Sequence, residues 1–171
     1  MEELRATQVG LATPEQAAGL SGREFLQAII DGRLPQPPIA RPLSFRLVEV
    51  GEGFAAFEGQ TGEHLLNPMG IVHGGWALTL LDSAAGCAGH SLLPPGTGYT
   101  TIETKGNFSR PLGRNAGRIR AEGRVITRGR RIISVEAKVL GPDGGVHAHG
   151  LSTLMVLEGS GQDPRPAGPP A

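Results

Sequence analysis

Apolar side chains return every third or fourth position from Phe25 and Leu26 to Ile29 and Ile30, which predicts a short amphipathic helix over Ser21 to Leu34 with Ser21 as its N-cap. Pro35, Pro37 and Pro38 end it and force an extended connection. The period then shortens to two. Residues 43–50 and 53–61 read as a hairpin joined at Gly51-Glu52, and Gly62 to Gly70 has no period and reads as a loop. From Trp76 to about His90 nearly every residue is apolar or small: Trp76, Leu80, Ala84, Cys87 and Ala88 fall near one face of a long helix. Ala77, Leu78, Leu81 and Ala85 cover much of the rest, so this helix is expected to be buried on most sides. Segments 99–109, 114–128, 130–141 and 145–157 alternate again, punctuated by Pro111-Leu-Gly113, Gly129 and Pro142-Asp-Gly-Gly145.

The alternation also assigns faces. Arg118, Arg120, Glu122, Arg124 and Arg128 share one parity, and Ile119, Ala121, Gly123, Val125 and Thr127 the other, which describes a strand with one wet and one packed face. Ile133, Val135, Ala137 and Val139 continue the packed set. Short links between successive strands favour antiparallel pairing. The expected fold class is α+β, with an antiparallel sheet wrapped around one long central helix.

A length of 171 residues fits one domain. Residues 1–42 read as an N-terminal extension carrying the short helix, 43–158 as the folded domain, and 159–171, with four prolines and no aromatic residue, as a disordered tail. Net charge is 0, from 16 basic and 16 acidic residues, which excludes a strongly basic nucleic-acid binder or an acidic solvating chain as an overall description. Cys87 is the only cysteine, so an intrachain disulfide is impossible and a reducing, cytoplasmic setting is the default. No run approaches the roughly 20 apolar residues of a bilayer span, and the first 20 residues do not look like a secretion signal.

The stretch Asn67-Pro-Met-Gly-Ile-Val-His-Gly-Gly-Trp-Ala-Leu-Thr-Leu-Leu-Asp82 carries the candidate chemistry. Gly74 and Gly75 open the long helix, where backbone N–H groups lack intrahelical partners and the dipole favours negative charge. Glycine also permits close approach, so a substrate carbonyl placed there would be polarised as negative charge develops during acyl transfer. Asp82 stands within Leu80-Leu81-Asp82-Ser83-Ala84, costly in an apolar helix unless paired, and is a candidate general base or nucleophile. Patterning alone also allows Asp82 to mark a wet helix edge and His73 to be an ordinary helix-start residue, and turn chemistry taken alone favours Asn67 as a turn former beside Pro68.

Asn67, Gly70, His73-Gly74-Gly75 and Asp82, followed by Thr101-Ile-Glu-Thr-Lys-Gly-Asn-Phe-Ser-Arg-Pro111, resemble the hotdog-fold acyl-CoA thioesterases, and within them the phenylacetate-degradation branch. The resemblance spans Leu43 to Leu157. It implies that the Gly74 N–H binds the thioester oxygen, that His73 shapes or polarises that site, and that Asp82 reaches it from the facing subunit to attack the thioester or activate water. Asn67 then matches a position that orients water or the leaving group, and Thr101 lies close to a hydroxyl position. Near Gly86 some aromatic-acyl relatives carry a hydroxyl that is absent here. A homodimer with two composite sites is implied, with a possible dimer of dimers, and no metal or organic cofactor is required. A non-catalytic acyl-CoA binding or regulatory protein, a hotdog hydratase and an acyl-carrier thioesterase remain alternatives.

Between Arg110 and Arg131 stand eight arginines and one acid, Glu122. This stripe reads either as a solvated sheet face or, around Arg128, Arg130 and Arg131 by the Gly129 turn, as a landing site for coenzyme A phosphates beside Gly75 among the substrate-binding candidates. It holds no aromatic residue on which RNA bases could stack. His147 and His149 share strand parity but lack a third metal ligand, and Cys87 fits a small buried hydrophobe better than a nucleophile.

Overall fold

Capping chemistry starts both N-terminal helices of the computed structural model, which describes residues 8–157. The expected disordered tail, 159–171, lies outside the described residues. Thr13 and Gln16 form a reciprocal capping box over α1, Pro14–Ala17. Ser21 and Glu24 form another over α2, Gly22–Ile30, in which Glu24 accepts the Ser21 N–H at 2.8 Å. The chain leaves α2 before the predicted Leu34 because Gly32 turns to φ +75° and the Arg33 and Leu34 N–H groups both return to Ala28 O, at 2.9 and 3.0 Å.

β1, Phe45–Gly51, and β2, Phe54–Gln60, form the predicted hairpin, although its turn is Glu52-Gly53, with Gly53 at φ +65°, one residue beyond the expected link. The long helix α3, Gly74–His90, is followed by β3, Gly98–Phe108; β4, Arg118–Arg128; β5, Ile132–Leu140; and β6, Val146–Leu157. All six strands form one antiparallel sheet in the order β1-β2-β4-β5-β6-β3. β3 therefore pairs with β6 rather than with its successor β4. Its exit loop passes the helix entrance instead, where Val72 N–H donates to Leu112 O at 2.9 Å.

The sheet does not wrap around α3. It is open, with β1 and β3 at separate edges, and α3 lies along one face; Leu78, Thr79, Asp82, Ser83 and Cys87 of the helix remain only half-buried. Small residues explain the difference. With Ala84 and Ala85 fully buried, the helix backbone settles directly onto the sheet, and burial of its sheet-facing stripe needs no enclosing barrel. A Cβ built on Gly123 of β4 would stand 2.3 Å from Ala84 O, so only glycine admits this approach. Trp76 anchors the first turn, buried and donating its indole N–H to Leu43 O at 2.7 Å.

The predicted faces hold along β5, where Ile133, Val135 and Val139 are wholly buried, and along β4 as far as Val125. Beyond it a bulge between Val125 and Thr127 breaks the parity and exposes Ile126 and Thr127.

The two sheet edges differ. Leu47 on β1 is met by the buried Gln36 side chain, which accepts from Leu47 N–H at 3.2 Å and donates to Leu47 O at 3.4 Å as a neighbouring strand would. Backbone bonds to Gln8 and Gly10, both 2.9 Å, hold Gln36 there. On β3, Ile102 and Phe108 are exposed, and no strand among the described residues pairs with its outer side.

Gly123→Ala is expected to lower stability by about 2–3 kcal/mol, since rigid backbone opposes the new methyl group. Gly113→Ala, whose added Cβ meets nothing within 4 Å, is the control. Chemical denaturation of both reads the difference, and equal midpoints would refute the close-approach account.

Candidate active site

The loop entering α3 is closed by Asn67. Its Oδ1 accepts from Met69 N–H at 2.9 Å and Ile71 N–H at 3.3 Å, and its backbone exchanges further bonds with Ile71 and Gly70. The carboxamide oxygen is thus committed to the turn. The NH2 group has no partner among the described residues and is the part of Asn67 left to meet a ligand.

His73 is the N-cap of α3. Its Nδ1 accepts the Gly75 N–H at 2.8 Å, which places the proton of the neutral ring on Nε2 and leaves an exposed donor. Gly75 is therefore engaged as part of the cap, and a Cβ there would stand 2.9 Å from Nδ1. The Gly74 N–H has no acceptor among the described residues. Phe108 flanks it: a Cβ on Gly74 would lie 3.4 Å from the ring, which is 57% exposed. Of the two glycines, Gly74 carries the available donor.

α3 runs antiparallel along β3, placing Gly74 beside Phe108, Leu78 and Leu81 over Gly106, Asp82 beside Thr104, and Gly86 beside Tyr99. Asp82 is half-buried, and its Oδ1 accepts from Thr104 Oγ1 at 2.9 Å. Oδ2 makes no hydrogen bond among the described residues. The aspartate thus sits mid-helix with no cationic partner among the described residues, held by one hydroxyl.

That hydroxyl belongs to Thr104, not to Thr101. Thr101 lies opposite Leu154, and its side chain makes no hydrogen bond among the described residues. Plain alternation from Thr101 puts Thr104 on the opposite face. A bulge between Thr101 and Glu103 reverses the parity and returns Thr104 to the helix side, with Gly106 and Phe108. Thr104, Phe108 and Ser152 are the neighbours that sequence reasoning missed. Thr104 and Phe108 fall within the quoted run Thr101 to Pro111, whereas nothing in the sequence pointed to Ser152.

Other ionisable groups near α3 are subdued. Burial, with the Asp82 charge as the lesser cause, pushes the Cys87 thiol up to about 12, so it offers no thiolate nucleophile near neutrality. Burial likewise raises the Tyr99 phenol and lowers His90. Among the described residues no three His, Cys, Asp or Glu residues come together to hold a metal ion, and no helix is long and apolar enough to cross a membrane.

The arginine stripe divides cleanly. Arg110 pairs with Asp143 at 3.0 Å, Arg114 with Glu63 at 2.8 Å, Arg118 with Glu58 at 3.3 Å and Arg120 with Glu122 at 2.8 Å, while Arg124 lies 4.3 Å over the Phe54 ring. Arg128, Arg130 and Arg131 are exposed and have no ion pair among the described residues. Strand directions put them at the end of the sheet where α3 finishes, away from Gly74 of the same chain.

A model of the thioesterase superfamily matches residues 69–148, a span that begins just before α3 and runs into β6. No curated protein matches the chain. Among solved structures, a conserved protein of Pseudomonas aeruginosa is 31% identical over 70% of this chain and 93% of its own, with a TM-score of 0.65. A phenylacetic acid degradation-related protein of Ralstonia eutropha is 26% identical over 77% and 98%, with a TM-score of 0.69. The PaaI protein of the Escherichia coli phenylacetic acid degradation operon shares the fold, at 21% identity over 71% and 85% and a TM-score of 0.65. With the matched span covering the helix entrance, α3 and the strand beside it, the chain belongs to the hotdog-fold thioesterase superfamily, in its PaaI-like branch.

Proposed function

We propose that this thioesterase hydrolyses acyl-CoA at composite sites shared by two copies of the chain. The observation that carries the reading is a separation: Gly74 and Asp82 stand eight residues apart on one helix, about 12 Å along its axis, too far to serve one thioester carbon. Their β3 neighbours, Phe108 and Thr104, are four residues apart, about 13 Å along the strand. The two spacings match. Antiparallel pairing of two β3 edges about a two-fold axis at Gly106 would therefore bring Asp82 and Thr104 beside the partner subunit's Gly74 and the partner subunit's Phe108.

In such a site the partner's Gly74 N–H receives the thioester oxygen, and a helix terminus stabilises the oxyanion more than the ground-state carbonyl. Asp82 Oδ2 takes a proton from water as the water oxygen bonds to the carbonyl carbon. The carbonyl electron pair moves onto oxygen. When it returns, the carbon–sulfur bond breaks and the proton passes to the departing CoA sulfur, leaving the free acid. The exposed Nε2–H of His73 and the NH2 of Asn67 are further donors at the mouth of the site. The unpaired Arg128, Arg130 and Arg131 supply guanidinium forks for coenzyme phosphates.

Turnover of benzoyl-, phenylacetyl-, acetyl-, hexanoyl- and palmitoyl-CoA tests the reaction; binding without hydrolysis of any of them would favour the non-catalytic alternative. Asp82→Asn should reduce kcat by roughly 100-fold or more in a folded protein. Gly74→Pro removes the N–H at the first helical position, which tolerates proline, and should be similarly impaired. Mixing the two variant chains should restore about a quarter of wild-type activity, because random pairing gives half mixed dimers with one intact site each. No recovery after subunit exchange would rule out the shared site.

Replacing Arg128, Arg130 and Arg131 with glutamine should raise KM for acyl-CoA more than it lowers kcat, since contacts remote from the carbonyl contribute uniform binding. An acyl-N-acetylcysteamine thioester, which lacks the nucleotide, should be unaffected. Equal losses on both substrates would assign the cluster to folding or assembly.

A further inference from the structure

Ser152 is an anomaly of the core. It lies on the helix-facing side of β6, 3% exposed, paired across β5 with Val135 and two residues from Leu154, both fully buried. An alanine would suit such surroundings, and a buried hydroxyl is tolerated only with a partner. That partner is Thr104, directly opposite on β3, with 2.9 Å between the two hydroxyl oxygens.

The direction of these bonds follows from counting protons. Thr104 has one hydroxyl proton and donates it to Asp82 Oδ1 at 2.9 Å. In the contact with Ser152 it can therefore act only as acceptor, so Ser152 must be the donor. The chain runs from Ser152 Oγ–H to Thr104 Oγ1–H to Asp82 Oδ1, each bond polarising the next in the low dielectric beneath the helix. It originates inside the sheet and ends at a carboxylate whose second oxygen is left uncommitted.

We propose that Thr104 and Ser152 are positioning residues that fix the Asp82 carboxylate by one oxygen and present the other to the reacting centre, a role that rests on Asp82 being the base. Ser152 acts entirely through Thr104. It selects the Thr104 rotamer that donates to Asp82, and Thr104 fixes the plane of the carboxylate.

Ser152→Ala, Thr104→Val, Thr104→Ser, the double Ser152→Ala/Thr104→Val and Asp82→Asn, each assayed per folded protein with melting curves on the best acyl-CoA of the five, test this together. Thr104→Val should lower kcat roughly 10- to 100-fold with KM nearly constant, and Thr104→Ser should restore most of it. Ser152→Ala, whose methyl group fits the core, should lower kcat about 3- to 10-fold without loss of melting temperature. The double variant should be no worse than Thr104→Val alone, because a residue acting only through Thr104 has nothing left to act on. Additive losses, losses confined to KM, or lowered melting temperatures with full kcat per folded protein would overturn the relay and leave a structural pair. If Asp82→Asn is inactive while every hydroxyl variant keeps wild-type kcat, the relay alone fails. Full turnover by Asp82→Asn, or no turnover of any of the five by the wild-type chain, would remove the base assignment and the relay with it.

Discussion

A straight helix cannot bring its first turn and its third together. Gly74 opens α3 and Asp82 lies two turns further on, and the axial rise holds them apart whatever the side chains do. Buried packing holds α3 closely against the sheet, with Ala84 nearly touching β4 at Gly123. Under the proposed mechanism the Gly74 N–H and the Asp82 carboxylate are consequently two half-sites. Their joint use depends on what meets the β3 edge, which carries the immediate neighbour of each.

Much of this could be read from the residues before the fold was known. The Ser21 cap, the hairpin, the long helix and the packed parity of β5 follow from period and capping chemistry, because each is decided within a few residues. The sheet order is a different matter: β3 leaves its successor to pair with β6, a choice made by contacts 40 or more residues apart. The expected enclosure failed for a related reason. A helix rich in alanine and glycine looks the same to a composition count whether it is surrounded or merely lies close to one face, and only the approach through Gly123 distinguishes the two.

The candidate site was legible in its donors and carboxylate but not in their supports. Gly74, His73 and Asp82 are conspicuous because glycine pairs and mid-helix aspartates are unusual. Thr104 and Ser152 are common residues, given meaning by a bulge that resets strand parity and by a cross-strand pairing, neither of which has a sequence signal of its own. The arginine stripe shows the converse. Its bulk is explained by neighbouring carboxylates, and the three positions singled out at the turn are those that the described residues leave unpaired.

The Gln36 side chain has a consequence for where chains can join. An open sheet with two bare edges can add copies at both ends and grow into a fibre, since each addition leaves another edge bare. Here one edge is terminated within the chain by a single carboxamide bonded to Leu47. Strand-to-strand pairing is thereby steered to the β3 edge, where Ile102 and Phe108 stand exposed, and the fold itself makes the two edges unequal.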